Sequence, residues 1–394
     1  MKSTALLLLL LIGFTATAQT IRIADNNPNR PTGANIFSTL QAAIDAAVPG
    51  DIVYVQPSDI KYNETVTISK RIKLRGGGFT TDLGTRYSNL ATINLVTSTD
   101  GTNSIANSEF SGVSIDYINF TTGSDVGSFT FDNLTFDNCN WYQMLSSGNH
   151  RTINSLIIKN CRFAEINLSS SNGNVNTLIY KNVIAPDNYT LMIRLSNATS
   201  PLITNNLFFP FPPGDYGNRP LGIANSTNIR IEHNVFSRAT TLPTFEYLQN
   251  AMVVNNIFYG ISPTCLNTTN TFRDNVFSNN LVLAAGVVMP PASNPVGSTF
   301  HSGINNIIGV SPLFTNAPAS STYLETYNYT LQAGSPCIGA ATTGENIGPS
   351  GGLYPWTGNL SLKASAMPII TLFGNSGLVP QNQPLKSNIK AKSN

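Results

Sequence analysis

The sequence predicts an all-β fold, a parallel β-helix solenoid with an N-terminal capping helix. Three observations carry this: an eight-residue pattern recurring about every 22 residues, an Asn at the same place in most copies, and a short helical stretch ahead of the first copy. The copies read VSIDYINF from Val113, LTFDNCNW from Leu134, LIIKNCRF from Leu156, LIYKNVIA from Leu178, LITNNLFF from Leu202, IRIEHNVF from Ile229, AMVVNNIF from Ala251 and NTFRDNVF from Asn270. Their start-to-start spacings are 21, 22, 22, 24, 27, 22 and 19. Such units bury their apolar side only by stacking on one another.

Each element follows from this pattern. Positions 1, 3 and 8 are apolar and position 4 is mostly polar, an alternation of period two that gives a strand with one buried face. Asn at position 5 (Asn138, Asn160, Asn182, Asn206, Asn255) interrupts it with a tight turn, since Asn tolerates the left-handed region and bonds nearby backbone. Tyr117, His233 and Asp274 take that place in the other copies, and a turn role is assigned to His233. Stacked about 4.8 Å apart, the Asn amides can bond along the axis. Position 8 (Phe120, Trp141, Phe163, Ala185, Phe209, Phe236, Phe258, Phe277) becomes an interior ladder. Leucine-rich repeats share the period but space their leucines L-x-x-L-x-L and add a helical second half, which this chain lacks.

At the front, residues 36–48 place Leu40, Ala43, Ile44 and Ala47 at helical spacing, with Ser38 as N-cap and Pro49-Gly50 as the stop. Strands are expected at 51–56 and 65–74. Lys2, the apolar run 5–14 and Ala16-Thr17-Ala18 read as a signal peptide over residues 1–18. That run is too short to span a bilayer, no other stretch is long and apolar enough to do so, and secretion or display at the cell surface is expected. The domain boundaries are then a signal peptide at 1–18, an N-terminal segment with the capping helix at 19–50, the β-helix at 51–356, and C-terminal strands with a basic tail at 357–394. That last stretch holds Lys363, Lys386, Lys390 and Lys392 and no acid, and suits a strand pair with a solvated tail or an attachment signal.

Charged residues are 11% of the chain and net charge is +2, against about 25% charged in ordinary domains. No concentrated basic face exists for nucleic acid. Cys139 and Cys161 occupy position 6 of consecutive copies and are expected as free, half-buried thiols. No Cys or His cluster has metal-site spacing.

STLQAAIDAAVPGDIVYVQP from Ser38 and ETVTISKRIKLRGGG from Glu64 resemble the opening of pectin lyase-like right-handed parallel β-helix proteins. SPLF from Ser311, YTLQAGSPCIGAATTGENIG from Tyr329 and Gly351-Gly352 resemble the closing segment of their secreted bacterial members. The likeness covers about residues 34–356. It implies a right-handed coil and leaves function open, since that superfamily holds lyases, hydrolases, esterases and adhesins. Of the polygalacturonase acid and base motifs only Arg71-Ile72-Lys73 is present, upstream of any candidate acid, and the pectin methylesterase segments are missing.

One constellation remains for chemistry. Position 4 reads Asp116, Asp137, Lys159, Lys181 along the stack, with Asn140 and Arg162 just past the bend. Stacked carboxylates can hold calcium or act as an acid pair, and an adjacent Lys or Arg can serve as base or charge neutraliser. Asp116, Asp137, Lys159, Arg162 and Lys181 are therefore the catalytic candidates, and Asp116 with Asp137 the metal candidates. Phe211 and Tyr216 in the long insert, with Phe245 and Tyr247, are candidates for stacking on sugar rings. Two functions are expected: a module that binds or scaffolds extracellular polysaccharide or a cell-surface glycan, or a polysaccharide lyase or glycoside hydrolase with a non-standard site on the outer face. No cofactor is required, and calcium is left open.

Overall fold

The structure is a computed structural model. It describes residues 19–79, 88–98, 103–122, 127–146, 150–169, 172–185, 192–210, 219–239, 242–265, 271–294 and 300–357, and two strands at Ile369–Asn375 and Ser387–Lys392. A right-handed parallel β-solenoid of about 9 turns runs through it, built from a 12-stranded, a 15-stranded and a 4-stranded sheet.

Two interior columns define the coil. The first runs Leu74, Phe110, Phe136, Ile158, Ile179, Ile203, Ile231, Val253, Phe277 in unbroken register. The second, past the bend, runs Ile115, Trp141, Phe163, Ile184, Phe208, Phe236, Phe258, Val282. Its rings stack, Trp141 on Phe163 at 4.8 Å and Phe208 on Phe236 at 4.6 Å. The expected ladder is thus corrected at four rungs. Phe120 pairs with Leu95 and Ser146 further along its strand. Ala185 and Phe209 lie one residue past the interior positions Ile184 and Phe208. Phe277 belongs to the first column. The copy at Asn270 is no rung of this sheet, since Phe272–Arg273 pairs with Leu248–Gln249; the true rung is 275–282, and another follows at 301–308.

The bend itself uses two adjacent columns. Asn138, Asn160, Lys181, Asn205, His233, Asn255, Asn279 and Asn305 are left-handed, with φ from 52° to 59°. The residue after each points inward, and there a buried amide ladder runs Asn182, Asn206, Asn234, Asn256, Asn280, Asn306. Each but the last donates its backbone N–H to the next Oδ1 at 3.0–3.1 Å. Asn138, Asn160 and Asn255 therefore make the turn and not the ladder. Cys139 and Cys161 occupy the ladder column at its start. They are free and, contrary to expectation, wholly buried, and Cys139 N–H points at Cys161 Sγ, 3.4 Å away.

The capping helix is shorter than expected, Leu40–Ala46, and its N-cap is Thr39, not Ser38. Thr39 Oγ1 accepts from Ala42 N–H at 3.2 Å, and the Glu64 carboxylate receives the Leu40 and Gln41 N–H groups, placing negative charge at the helix start. Leu40, Ala43 and Ile44 cover the first coil. The stretch expected as one strand over 65–74 is two, Tyr62–Ile68 and Lys73–Gly76, around a corner.

At the far end the parallel rungs stop at Ile307–Ile308, and residues 311–357 turn back along the outside as a strap. The strap lies on an outward column that changes character along the stack. Ser114, Asn140 and Arg162 give way to Val183, Leu207, Val235, Ile257 and Leu281. Phe314, Tyr323 and Tyr329 cover the apolar part. Turn residues clip the strap down. Asn279 Nδ2 donates to Ala340 O at 2.9 Å, Asn255 Oδ1 accepts from Thr342 N–H at 3.0 Å, and Asn205 Nδ2 donates to Gly351 O at 2.7 Å. Tyr354 stacks on Tyr180 at 4.1 Å.

Candidate functional site

Where the apolar column ends, so does the strap, and the uncovered rungs form a cleft of about 330 Å³. Ser114, Asp116, Asn140, Tyr142 and Arg162 line it from three successive rungs, and Glu325 lines it from the strap. The floor is rigid because Trp141 and Phe163 stack beneath it and Trp141 Nε1 is tied to Glu165 O at 3.2 Å. Asn140 Nδ2 donates to Ser114 Oγ at 3.1 Å along the column.

Asp116 and Asp137 do not stack, which corrects the expected carboxylate pair. Register pairs Ser114 with Asn140 and Ile115 with Trp141, so Asp116 falls past the bend on the second sheet, while Asp137 lies before it on the first, opposite Ser111. Asp116 pairs with Lys61 instead. Asp137 pairs with Lys159 at 3.3 Å and accepts from Asn160 Nδ2 at 2.8 Å. These two do not form the pair a shared calcium would need, and among the described residues no group of three His, Cys, Asp or Glu could hold a metal ion. Lys181 is a turn residue (φ 55°), outside the column.

Arg162 is brought into the cleft. Its guanidinium lies 5.8 Å from the Tyr323 ring centroid and forms no ion pair among the described residues. Tyr142 and Tyr117 stand edge to face at 5.9 Å on adjacent rungs, with Tyr117 exposed. Beyond them the buried Glu165 receives Gln143 Nε2 at 2.5 Å, and burial pushes its carboxyl pKa up. Phe245 is no surface aromatic: it is fully buried and stacks on Phe272 at 5.6 Å. Tyr247 is half-buried, and Phe211 and Tyr216 lie outside the described residues. Tyr117, Tyr142, Glu165 and Glu325 were missed by sequence reasoning. For the first three the signal was present: they share strands with Asp116, Asn140 and Arg162. Glu325 reaches the cleft only through the folding back of the strap.

The fold is a right-handed parallel β-helix. The family model described as a right handed beta helix region matches residues 116–282. No curated protein matches the chain. Among solved structures it is similar to pectate lyase Pel9A, at 15% identity over 84% of this chain and 96% of that one, TM-score 0.47. It is also similar to DFA-IIIase from Arthrobacter chlorophenolicus A6 (15% identity, 68% and 81%, TM-score 0.35). A third likeness is to GH136 lacto-N-biosidase from Eubacterium ramulus (12% identity, 74% and 68%, TM-score 0.39).

Proposed function

We propose that the protein binds extracellular polysaccharide through the cleft at Asp116, Tyr142 and Arg162 and acts as a binding or scaffolding module. The observation behind this reading is the Tyr142 ring set among fixed polar groups in an open cleft, with Tyr117 edge to face beside it. Tyr117 and Tyr142 offer aromatic surface to sugar C–H faces, and Asn140, Asp116 and Arg162 offer donors and acceptors at the spacing of successive rungs. The cleft's volume falls at the lower end of the range of ligand pockets, about 300–1,000 Å³, which suits a short stretch of glycan. Residues 1–18, read as a signal peptide, would deliver the protein outside the cytoplasm, and no described helix is long and apolar enough to cross a membrane. Neither a cofactor nor a metal is needed for such binding.

A second reading, a polysaccharide lyase or glycoside hydrolase, draws on Asp116 and Glu325 lining the same cleft as Arg162. Two carboxylates and a guanidinium are components from which an acid–base site can be built. A glycan array run beside unsaturated-product and reducing-sugar assays separates the two. Binding without product, lost in Tyr142→Ala while far-UV circular dichroism is kept, supports the module. Product formation abolished by Asp116→Asn supports the enzyme. A protein that neither binds nor cleaves any glycan refutes both.

A further inference from the structure

The rung at 301–308 is the last of the stack, and among the described residues none pairs with its outer side. Ile307–Ile308 pairs with Leu281–Val282, and no described strand follows it. Ile307 N–H donates inward to Asn280 O at 2.8 Å and Gly309 N–H to Val282 O at 2.9 Å, so the N–H and C=O of Ile308 point away from the stack. The amide ladder stops here too. Asn306 Oδ1 receives the Asn280 N–H, but the Asn306 N–H meets no acceptor among the described residues.

Open strand edges are usually guarded by charge. This one is not: residues 275–324 contain no Asp, Glu, Lys or Arg. Instead Val288, Phe300, Ile304, Ile308, Val310 and Leu313 are exposed around the edge, Phe300 at 84%. A neutral apolar patch of this kind on a strand edge marks an interaction surface.

We propose that this end joins a second copy of the chain, end to end about a two-fold axis, with the 306–308 strands running antiparallel. Centred on Ile307, that register lets the Asn306 N–H and C=O of each copy exchange hydrogen bonds with Ile308 of the partner subunit, satisfying every open group named above. Charge selects this occupant. A second copy brings an equally neutral surface, whereas the chain's own residues 357–394 would set Lys363, Lys386, Lys390 and Lys392, with no acid among them, against a face that has no counter-charge. Head-to-tail stacking is blocked, because the opposite end is closed by the capping helix and by Ile36–Phe37. A two-fold contact uses the same patch twice and closes at two copies.

Sedimentation velocity on the full chain tests this, together with Phe300→Asp and Ile304→Asp. The wild type should sediment at twice the chain mass. Both variants should run at the chain mass with unchanged far-UV circular dichroism and unfolding midpoint. Hydrogen exchange on the wild type needs no variant: the Asn306 and Ile308 amides should gain protection as concentration rises. A wild type of single mass at every concentration overturns the proposal, as does a dimer that both Asp variants retain. Ile308 protection independent of concentration also overturns it and shifts the assignment to the chain's own C-terminal residues.

Discussion

Asn234 offers a direct test of what the amide ladder contributes. Its side chain is wholly buried. Oδ1 receives the Asn206 N–H and Nδ2, both at 3.0 Å, and Nδ2 donates to Ile203 O at 2.9 Å and to Glu232 O at 2.9 Å. Replacement by Ala strands one of these groups, the Asn206 backbone N–H, since the parallel ladder still brings the Glu232 N–H to the Ile203 carbonyl. The others keep partners: Glu232 O still receives Asn205 N–H at 3.2 Å, and Asn206 Nδ2 still reaches Ile179 O at 2.9 Å. A buried group left unsatisfied costs about 1–3 kcal/mol, and Asn234→Ala should lose about that much. Asn225 is the control. It is exposed with φ 49°, a conformation Gly adopts freely, so Asn225→Gly should cost under about 1 kcal/mol. Urea unfolding followed by far-UV circular dichroism reads both. Equal midpoints for the two variants would show that the ladder adds nothing beyond turn geometry.

Phe163→Ala removes a ring stacked on Trp141 and should cost about 3–5 kcal/mol, against under about 1 kcal/mol for the outward Arg162→Ala; equal shifts in unfolding midpoint would contradict the assigned faces. His233 is buried against Gly348 O (3.3 Å) and Glu345 (3.4 Å), and burial holds its pKa below 6.5 despite the opposing pull of Glu232 and Glu345. A lowered folded pKa means the released state binds the proton more readily. The His233 contribution is therefore complete above pH 6.5 and is lost as pH falls below it. Limited proteolysis of the strap should quicken there, and His233→Asn should flatten the profile. Because Asp116 and Asp137 pair separately with Lys61 and Lys159, the thermal midpoint should be the same in calcium and in chelator; a calcium-dependent rise lost in Asp137→Asn would restore the metal pair.

The coil, its period and its left-handed turn were legible because each follows from a repeated local requirement. Asn next to an alternating apolar strand is a turn wherever it occurs. The phase was harder. Where two Asn are adjacent, as at Asn205-Asn206 and Asn255-Asn256, one turns and one enters the ladder. Where a single Asn remains, as in Asn160-Cys161 or Lys181-Asn182, composition does not say which role it holds. A slip of one residue moves a side chain to the opposite face, which is why Ala185 and Phe209 were expected inside. The cleft was legible only in part. Asp116, Asn140 and Arg162 stood out as polar groups near the bend, but the Lys61 that neutralises Asp116 is 55 residues away, and Glu325 arrives by a chain reversal that no local pattern encodes.

The strap also acts as a ruler. It runs against the direction of the coils, meeting Asn279 at Ala340, Asn255 at Thr342, His233 at Gly348, Asn205 at Gly351 and Tyr180 at Tyr354. Five turns of solenoid are thereby matched to one stretch of 15 residues, Ala340 to Tyr354. A coil inserted or deleted between Tyr180 and Asn279 would shift the later clips by a full rung spacing, about 4.8 Å, and break them together. One added before Asp116 would leave every clip in place. Variation in length is thus confined to the N-terminal coils, on the side of the cleft away from the strap, where a longer groove can be built without disturbing its fixed wall.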